Sequence, residues 1–169
     1  PNGVLFADQW NNLANRQAHY RTTGPEIWEA TDGKVDAFIC SVGTGGTLAG
    51  TSTFLREQKP GVVVGCADPE GAAMYSLFTT GEAKASPGSS ITEGIGLGRE
   101  TPIVEGLKVD HAYIVPDTEA VPTVFDLVQH EGLVLGGSSG VNLAGAARLA
   151  RDIGPGHTIV TVLCDLGTR

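Results

Sequence analysis

The sequence predicts an α/β fold: a parallel β-sheet with helices on both faces, in three αβα layers. Three observations lead there. Apolar runs of strand length recur along the chain, as in "VDAFICSV" and "GVVVGCADP", and near-continuous apolarity marks strands buried on both faces. Segments of helical character separate these runs, a rhythm that right-handed crossovers turn into a parallel sheet. Glycine-rich turns follow a run and open a helix, as in "SVGTGGTLAG" at Ser41–Gly50.

The first stretch, "FADQWNNLANRQAHYRTTGPEIWEAT", carries helical segments with no strand of its own before them. Val35–Val42 reads as the first strand. "GTLAGTSTFLREQK" follows as a helix, with Leu48, Phe54 and Leu55 available to its inward side and "KPG" as its stop. "GVVVGCADP" is the next strand, halted by Pro69. The stretch from Glu70 to Gly106 is weaker, with a short helix near Ala72–Phe78 and the turn-forming loop "GEAKASPGSS". "AYIVP" is a strand, and "DTEAVPTVFDLVQHEG" a helix with Asp117 as N-cap and Gly132 as stop. "GLVLGGSSG" has strand–turn–helix form and leads into "VNLAGAARLARDIG", and "HTIVTVLCD" is a closing strand. The sequence shows no repeat, heptad pattern, low-complexity tract or internal domain boundary.

Composition narrows the function classes. The 169 residues are 41% apolar with 24 glycines, enough for one domain with a real core. A net charge of −8 argues against nucleic acid and anionic membrane surfaces, which select basic patches. No apolar stretch approaches the roughly 20 residues that span a bilayer, and no signal-peptide pattern opens the chain. Cys40, Cys66 and Cys164 are widely spaced in apolar runs, and read as buried free thiols of a reducing compartment. His19, His111, His130 and His157 lack metal-ligand spacing, so no metal is expected. The expected class is a cytoplasmic α/β domain.

The turn "VGTGGTLAG" has the grammar of an anion site, with free backbone N–H groups and the positive end of a helix. Thr44 and Thr47 add hydroxyl donors. It is neither a P-loop, since no lysine follows, nor the dinucleotide fingerprint, since Leu48 stands where the last glycine belongs. A tight turn with no ligand is the competing reading. "LGGSSGVN" repeats the grammar, so Gly43–Thr47 and Gly136–Gly140 are expected to face one ligand across one sheet edge. Ser138 and Ser139 there are either ligand contacts or helix N-caps. "GGSSG" lacks the context of a nucleophile elbow, because only His157 follows it, at a strand start. "TEGIGLG" at Thr92–Gly98 is a flexible loop that says little alone.

Together and in this order, these motifs resemble the fold type II pyridoxal-phosphate enzymes, in particular the cysteine synthase/cystathionine β-synthase family. "DQWNNLANRQAHYRTTGPEIW" is similar to that family's Q-F-x-N-P-A-N…H-Y-x-T-T-G-P-E-I-W stretch, "GTGGT" to its cofactor-phosphate loop, "EGIGLG" to its G-I-G loop and "GGSSG" to its G-I-S-S-G turn. The resemblance implies pyridoxal 5'-phosphate as cofactor, with Gly43, Thr44, Gly45, Gly46 and Thr47 cradling its phosphate. It implies that Ser138 hydrogen-bonds the pyridine nitrogen, that Gln9 helps hold the substrate carboxylate, and that Gly94 lies beside the ring in a loop able to close. A neutral hydroxyl at the pyridine nitrogen suits β-elimination and replacement. Departures exist. "NNLANR" lacks both prolines of the usual pattern, Glu93 stands where glutamine is also common, and "LCDLGT" replaces a P-S-x-G-E ending. Asp165 and Cys164 there either tune the cofactor edge or serve as a capping carboxylate and a core thiol.

The Schiff-base lysine of that family has no counterpart. Lys34, Lys59, Lys84 and Lys108 all lie in turns or solvated ends, away from an S-V-K-D-R-type setting. The family's T-S-G-N-T substrate loop and the asparagine for the cofactor's ring hydroxyl are also missing. Residues 1–169 are therefore expected to be the C-terminal large-domain portion of a longer enzyme, with no catalytic residue of their own and no activity alone. The resemblance implies a homodimeric enzyme that forms cysteine from O-acetylserine and sulfide. Serine and homocysteine are the alternative substrates, on the cystathionine β-synthase pattern. A non-catalytic domain that binds a phosphorylated ligand or a partner protein is the alternative from another class.

Overall fold

β1 (Val35–Cys40) sends alternate side chains into two separate cores. Phe38 and Cys40 enter one with Val64 and Cys66, and Ala37 and Ile39 enter the other with Ala67. That two-sided burial is why the run is apolar at nearly every position rather than at every second one. In the computed structural model, which describes residues 3–167, β1 pairs in parallel with β2 (Val63–Pro69) on one side and β4 (Thr158–Val160) on the other. β3 (His111–Val115) extends the sheet beyond β2, giving the order β3-β2-β1-β4.

The chain crosses from β1 to β2 through α3 (Gly46–Gln58), and from β2 to β3 through α4 (Met74–Thr80). Leu48 and Leu55 of α3 and Met74 of α4 pack on the Phe38 face. It returns from β3 to β4 through α5 (Asp117–Glu131) and α6 (Gly137–Ile153), which place Ala120, Val141, Ala144 and Leu149 on the Ile39 face. Progress across the sheet reverses just where the covered face reverses, so both crossings have the same hand. The expected three-layer arrangement is therefore present. α1 (Ala14–Arg21) and α2 (Thr23–Ala30) lie against α3. Tyr20 meets the half-buried Phe54 edge-on at 5.8 Å.

Five expectations need correction, and side-chain hydrogen bonds explain the first two. The first strand stops at Cys40, because the Ser41 N–H turns to Asn142 Oδ1 and the Val42 carbonyl accepts from Gly96 and Leu97. The closing strand stops at Val160 for a similar reason. Beyond it Thr161 Oγ donates to the Ile39 carbonyl and Asn142 Nδ2 to the Val162 carbonyl, so side chains replace the ladder. "GLVL" is not a sheet strand: Leu135 makes only an isolated antiparallel bridge with Leu166. Asp117 is the first helical residue of α5 rather than its N-cap, which is Pro116. Gly132 does end α5, in the left-handed conformation at φ 70°. Cys40 and Cys66 are buried as expected, whereas Cys164 is exposed.

Candidate functional site

A cavity of about 1050 Å³ opens at the carboxyl ends of β1 and β4. This is where the chain's progress through the sheet changes direction, the position at which open α/β sheets bind ligands. Its wall takes Gly43, Thr44, Gly45 and Thr47 from the turn after β1, Ile91–Gly98 from the long loop, and Gly136–Ser138 from the start of α6. Gln9, Trp10, Leu48, Asn142 and Cys164–Gly167 add to it. The two glycine turns thus face one space, although the second is not preceded by a strand of the sheet. Among the residues of the two glycine turns singled out from sequence, Gly46, Ser139 and Gly140 are absent from the wall.

The turn after β1 is shaped by its protein neighbours. A Cβ at Gly43 would overlap the carbonyl oxygen of Gly94, and one at Gly46 would overlap the side-chain amide of Asn15. Gly45 adopts φ +96°, and a Cβ there would strike Val104. The glycines therefore serve close packing as much as ligand access. The result is a helix start whose N–H groups are left free. Among the described residues, the N–H groups of Gly45, Thr47 and Leu48 have no acceptor, and all three residues line the cavity. They sit at the positive end of a 13-residue helix.

The threonines differ in their environment. Thr44 Oγ accepts from Asn15 Nδ2 at 2.9 Å. Thr47 Oγ lies 3.3 Å from His19 Nε2, and His19 Nδ1 lies 2.9 Å from Thr23 Oγ. Partial burial lowers the His19 pKa, so the ring is neutral near pH 7, with one nitrogen donating and the other accepting.

On the opposite wall Ser138 Oγ donates to Asp165 Oδ1 at 3.2 Å. Ser139 is fully buried, and its hydroxyl accepts from the Cys164 N–H at 2.9 Å. Neither serine caps α6, whose N-cap Gly136 makes no side-chain bond. Gly94 stands at φ +76° with open space where a Cβ would be, so its loop presents bare backbone to the cavity. Burial, with Cys164 as the lesser cause, pushes the Cys40 thiol far up, so it stays protonated.

Two residues that the sequence reading missed organise the site. Asn15 joins the segment of Gln9 to the glycine turn, donating to the Gln9 carbonyl at 2.9 Å as well as to Thr44. Asn142 is fully buried inside α6 and ties the ends of β1 and β4 through Ser41 and Val162. An asparagine within an apolar helix face is a poor helix former, and that was the available signal. No such signal marks Asn15.

None of the four lysines lines the cavity, and among the described residues no arginine does. Lys59 pairs with Asp36 at 2.6 Å, Lys34 approaches Asp32 at 3.5 Å, and Lys84 and Lys108 are exposed. Among the described residues, an anion here would be held by N–H groups and hydroxyls.

The model of the family described as pyridoxal-phosphate dependent enzyme matches residues 1–165. The chain belongs to that family. Cysteine synthase 2 of Schizosaccharomyces pombe is 45% identical, over 100% of this chain and 46% of its own length. Cysteine synthase 1 of Neurospora crassa is 46% identical, over 96% of this chain and 44% of its own. Among solved structures, the O-acetylserine dependent cystathionine β-synthase of Helicobacter pylori superposes with a TM-score of 0.85 at 29% identity. That match covers 96% of this chain and 50% of the other. The chain thus spans about half the length of the relatives it matches. Pyridoxal phosphate is the cofactor of the family, and the cavity fits its ester. A doubly charged phosphate suits three free N–H groups at a helix start better than any apolar ligand would.

Proposed function

We propose that this chain supplies the phosphate-binding and ring-facing portion of a pyridoxal-phosphate dependent site that forms cysteine from O-acetylserine and sulfide. The observation that carries this is the helix start at the sheet's switch point, with the N–H groups of Gly45, Thr47 and Leu48 free toward the cavity. When bound, pyridoxal phosphate supplies an electron sink for charge that develops at the substrate's α-carbon. The chain's own residues bind and orient. Gly43–Thr47 hold the phosphate through N–H and hydroxyl donors. Ser138 offers its hydroxyl proton to the pyridine nitrogen in place of Asp165 Oδ1. Gly94 leaves room beside the ring, and Gln9 at the cavity's rim meets the substrate carboxylate.

The lysine for the cofactor's aldehyde is supplied from outside these 169 residues, and the chain is the C-terminal large-domain portion of the enzyme. Supporting this, no lysine lines the cavity and the relatives are about twice as long. The reading includes a homodimer in the cytoplasm, consistent with free thiols and with the exposed apolar side chains Phe125 and Val128 on α5. No helix among the described residues is long and apolar enough to cross a membrane. A homocysteine acceptor is the second reading, favoured by the likeness to the Helicobacter pylori structure.

The test assays the intact protein with pyridoxal phosphate and O-acetylserine, offering sulfide or homocysteine. Cysteine from sulfide supports the reading, cystathionine alone moves it to the second, and no product with either acceptor overturns it. The 169-residue chain alone is expected to yield no cysteine.

A further inference from the structure

We infer that Asn15 is a positioning residue that turns the Thr44 hydroxyl into a dedicated donor for a phosphate ester in the cavity. The inference deepens the reading of the glycine turn given above and rests on it. One atom fixes the geometry. The Gln9 backbone carbonyl can only accept, so the Asn15 side-chain atom 2.9 Å from it is the NH2 group and not the oxygen. The same NH2 reaches Thr44 Oγ at 2.9 Å, and therefore donates to it. A second, longer approach to that oxygen comes from the Gly46 N–H at 3.5 Å.

With its oxygen engaged as an acceptor, the Thr44 hydroxyl has its own proton left to give. Among the described residues that proton finds no acceptor, while Thr44 lines the cavity. A hydroxyl that accepts on one side and faces an anion on the other is polarised to donate. The Asn15 amide is held in place because it lies where a Cβ at Gly46 would be. The glycine at 46 is thus explained by the asparagine at 15, rather than by phosphate approach. The same amide joins the Gln9 segment to the phosphate turn, so the two ends of the site share one anchor.

The experiment compares pyridoxal phosphate with pyridoxal, which lacks the phosphate, for binding to the intact apoprotein by fluorescence titration. N15A is expected to weaken pyridoxal phosphate about tenfold, the scale of one hydrogen bond to a charged group, and to leave pyridoxal unchanged. T44V is expected to lose at least as much, T44S to keep the wild-type preference, and N15A/T44V to bind no more weakly than T44V alone. A tenfold effect of N15A that persists on the T44V background overturns the inference, as does an equal effect on pyridoxal. Should N15A fail to fold, T44V still decides: an undiminished preference for the phosphate form removes Thr44 as a donor. Wild-type protein that does not distinguish the two ligands overturns the phosphate site itself, a separate failure from that of Asn15.

Discussion

The Asp117 carboxylate accepts a hydrogen bond from the Ser90 hydroxyl at 2.6 Å, and its other oxygen accepts the Ile91 N–H at 2.8 Å. Through this pair the first turn of α5 holds the root of the loop that carries Glu93 and Gly94 into the cavity. A carboxylate at the start of a helix is also favoured by the helix dipole, so both ends of the contact hold Asp117 in place. Asp117→Ala should lower unfolding stability by about 1–3 kcal/mol. Hydrogen exchange in residues 90–98 should rise before the sheet is affected. Unchanged exchange in that loop would show that Asp117 does not hold it.

Gly43 and Gly98 give a paired test of the backbone approach at the site. A side chain at Gly43 would meet the Gly94 backbone carbonyl, which cannot rotate away, whereas nothing lies within 4 Å of a Cβ at Gly98. Gly43→Ala should therefore cost about 2–4 kcal/mol, through the overlap that forces two loops apart. Gly98→Ala should lie within about 0.5 kcal/mol of wild type, or be slightly stabilising through the unfolded chain. Thermal unfolding of the two variants side by side checks this, and equal midpoints would refute it.

The elements legible in the sequence are those whose identity is local. β1 shows in its apolar run, α3 in its glycine-led start and its "KPG" stop, and the stop of α5 in Gly132. The sheet's edges were not legible, because Asn142, Thr161 and Ser139 end the ladders through bonds between distant residues. The same holds at the site. Glycine turns announce a helix start, yet whether Thr44 donates or accepts depends on Asn15, 29 residues away. Ser138 was open between capping and ligand contact, and its bond to Asp165 crosses 27 residues. Periodicity carries no record of such pairs.

Asn142 should be among the most costly buried positions to alter. Its oxygen satisfies the buried Ser41 N–H at 2.7 Å and its nitrogen the half-buried Val162 carbonyl at 2.8 Å. Asn142→Leu leaves the buried Ser41 N–H unpaired, at a cost of about 1–3 kcal/mol, and the half-buried Val162 carbonyl unpaired at a smaller one. Asn142→Asp keeps the acceptor for Ser41 but sets an oxygen against the Val162 carbonyl. Urea unfolding of both variants should give midpoints well below wild type, and a loss under about 1 kcal/mol for Asn142→Leu would contradict the assignment.

Asp68 makes stability depend on pH in an unusual direction. The residue is fully buried at the end of β2, with Oδ2 accepting the Tyr75 N–H at 2.8 Å and Oδ1 unpartnered. Desolvation raises its pKa from 3.8 to about 6, against the lowering by the α4 backbone N–H groups. The folded state therefore binds this proton more tightly than the unfolded chain does. Above pH 6 both states are ionised, and the buried charge costs the fold its full penalty. As pH falls from about 6 to 3.8 the folded state takes up the proton first, so this group's contribution to stability rises, by roughly 3 kcal/mol in all. Paired carboxylates elsewhere act in the opposite sense, as at Asp36, whose bond to Lys59 lowers its pKa, so the test needs a difference. Asp68→Asn carries no titrating proton and keeps an oxygen for Tyr75. Urea unfolding at pH 4, 5, 6 and 7 should show the variant gaining on wild type as pH rises through 5 and 6. A gap between the two that stays constant across that range would mean Asp68 titrates at the same pH in both states.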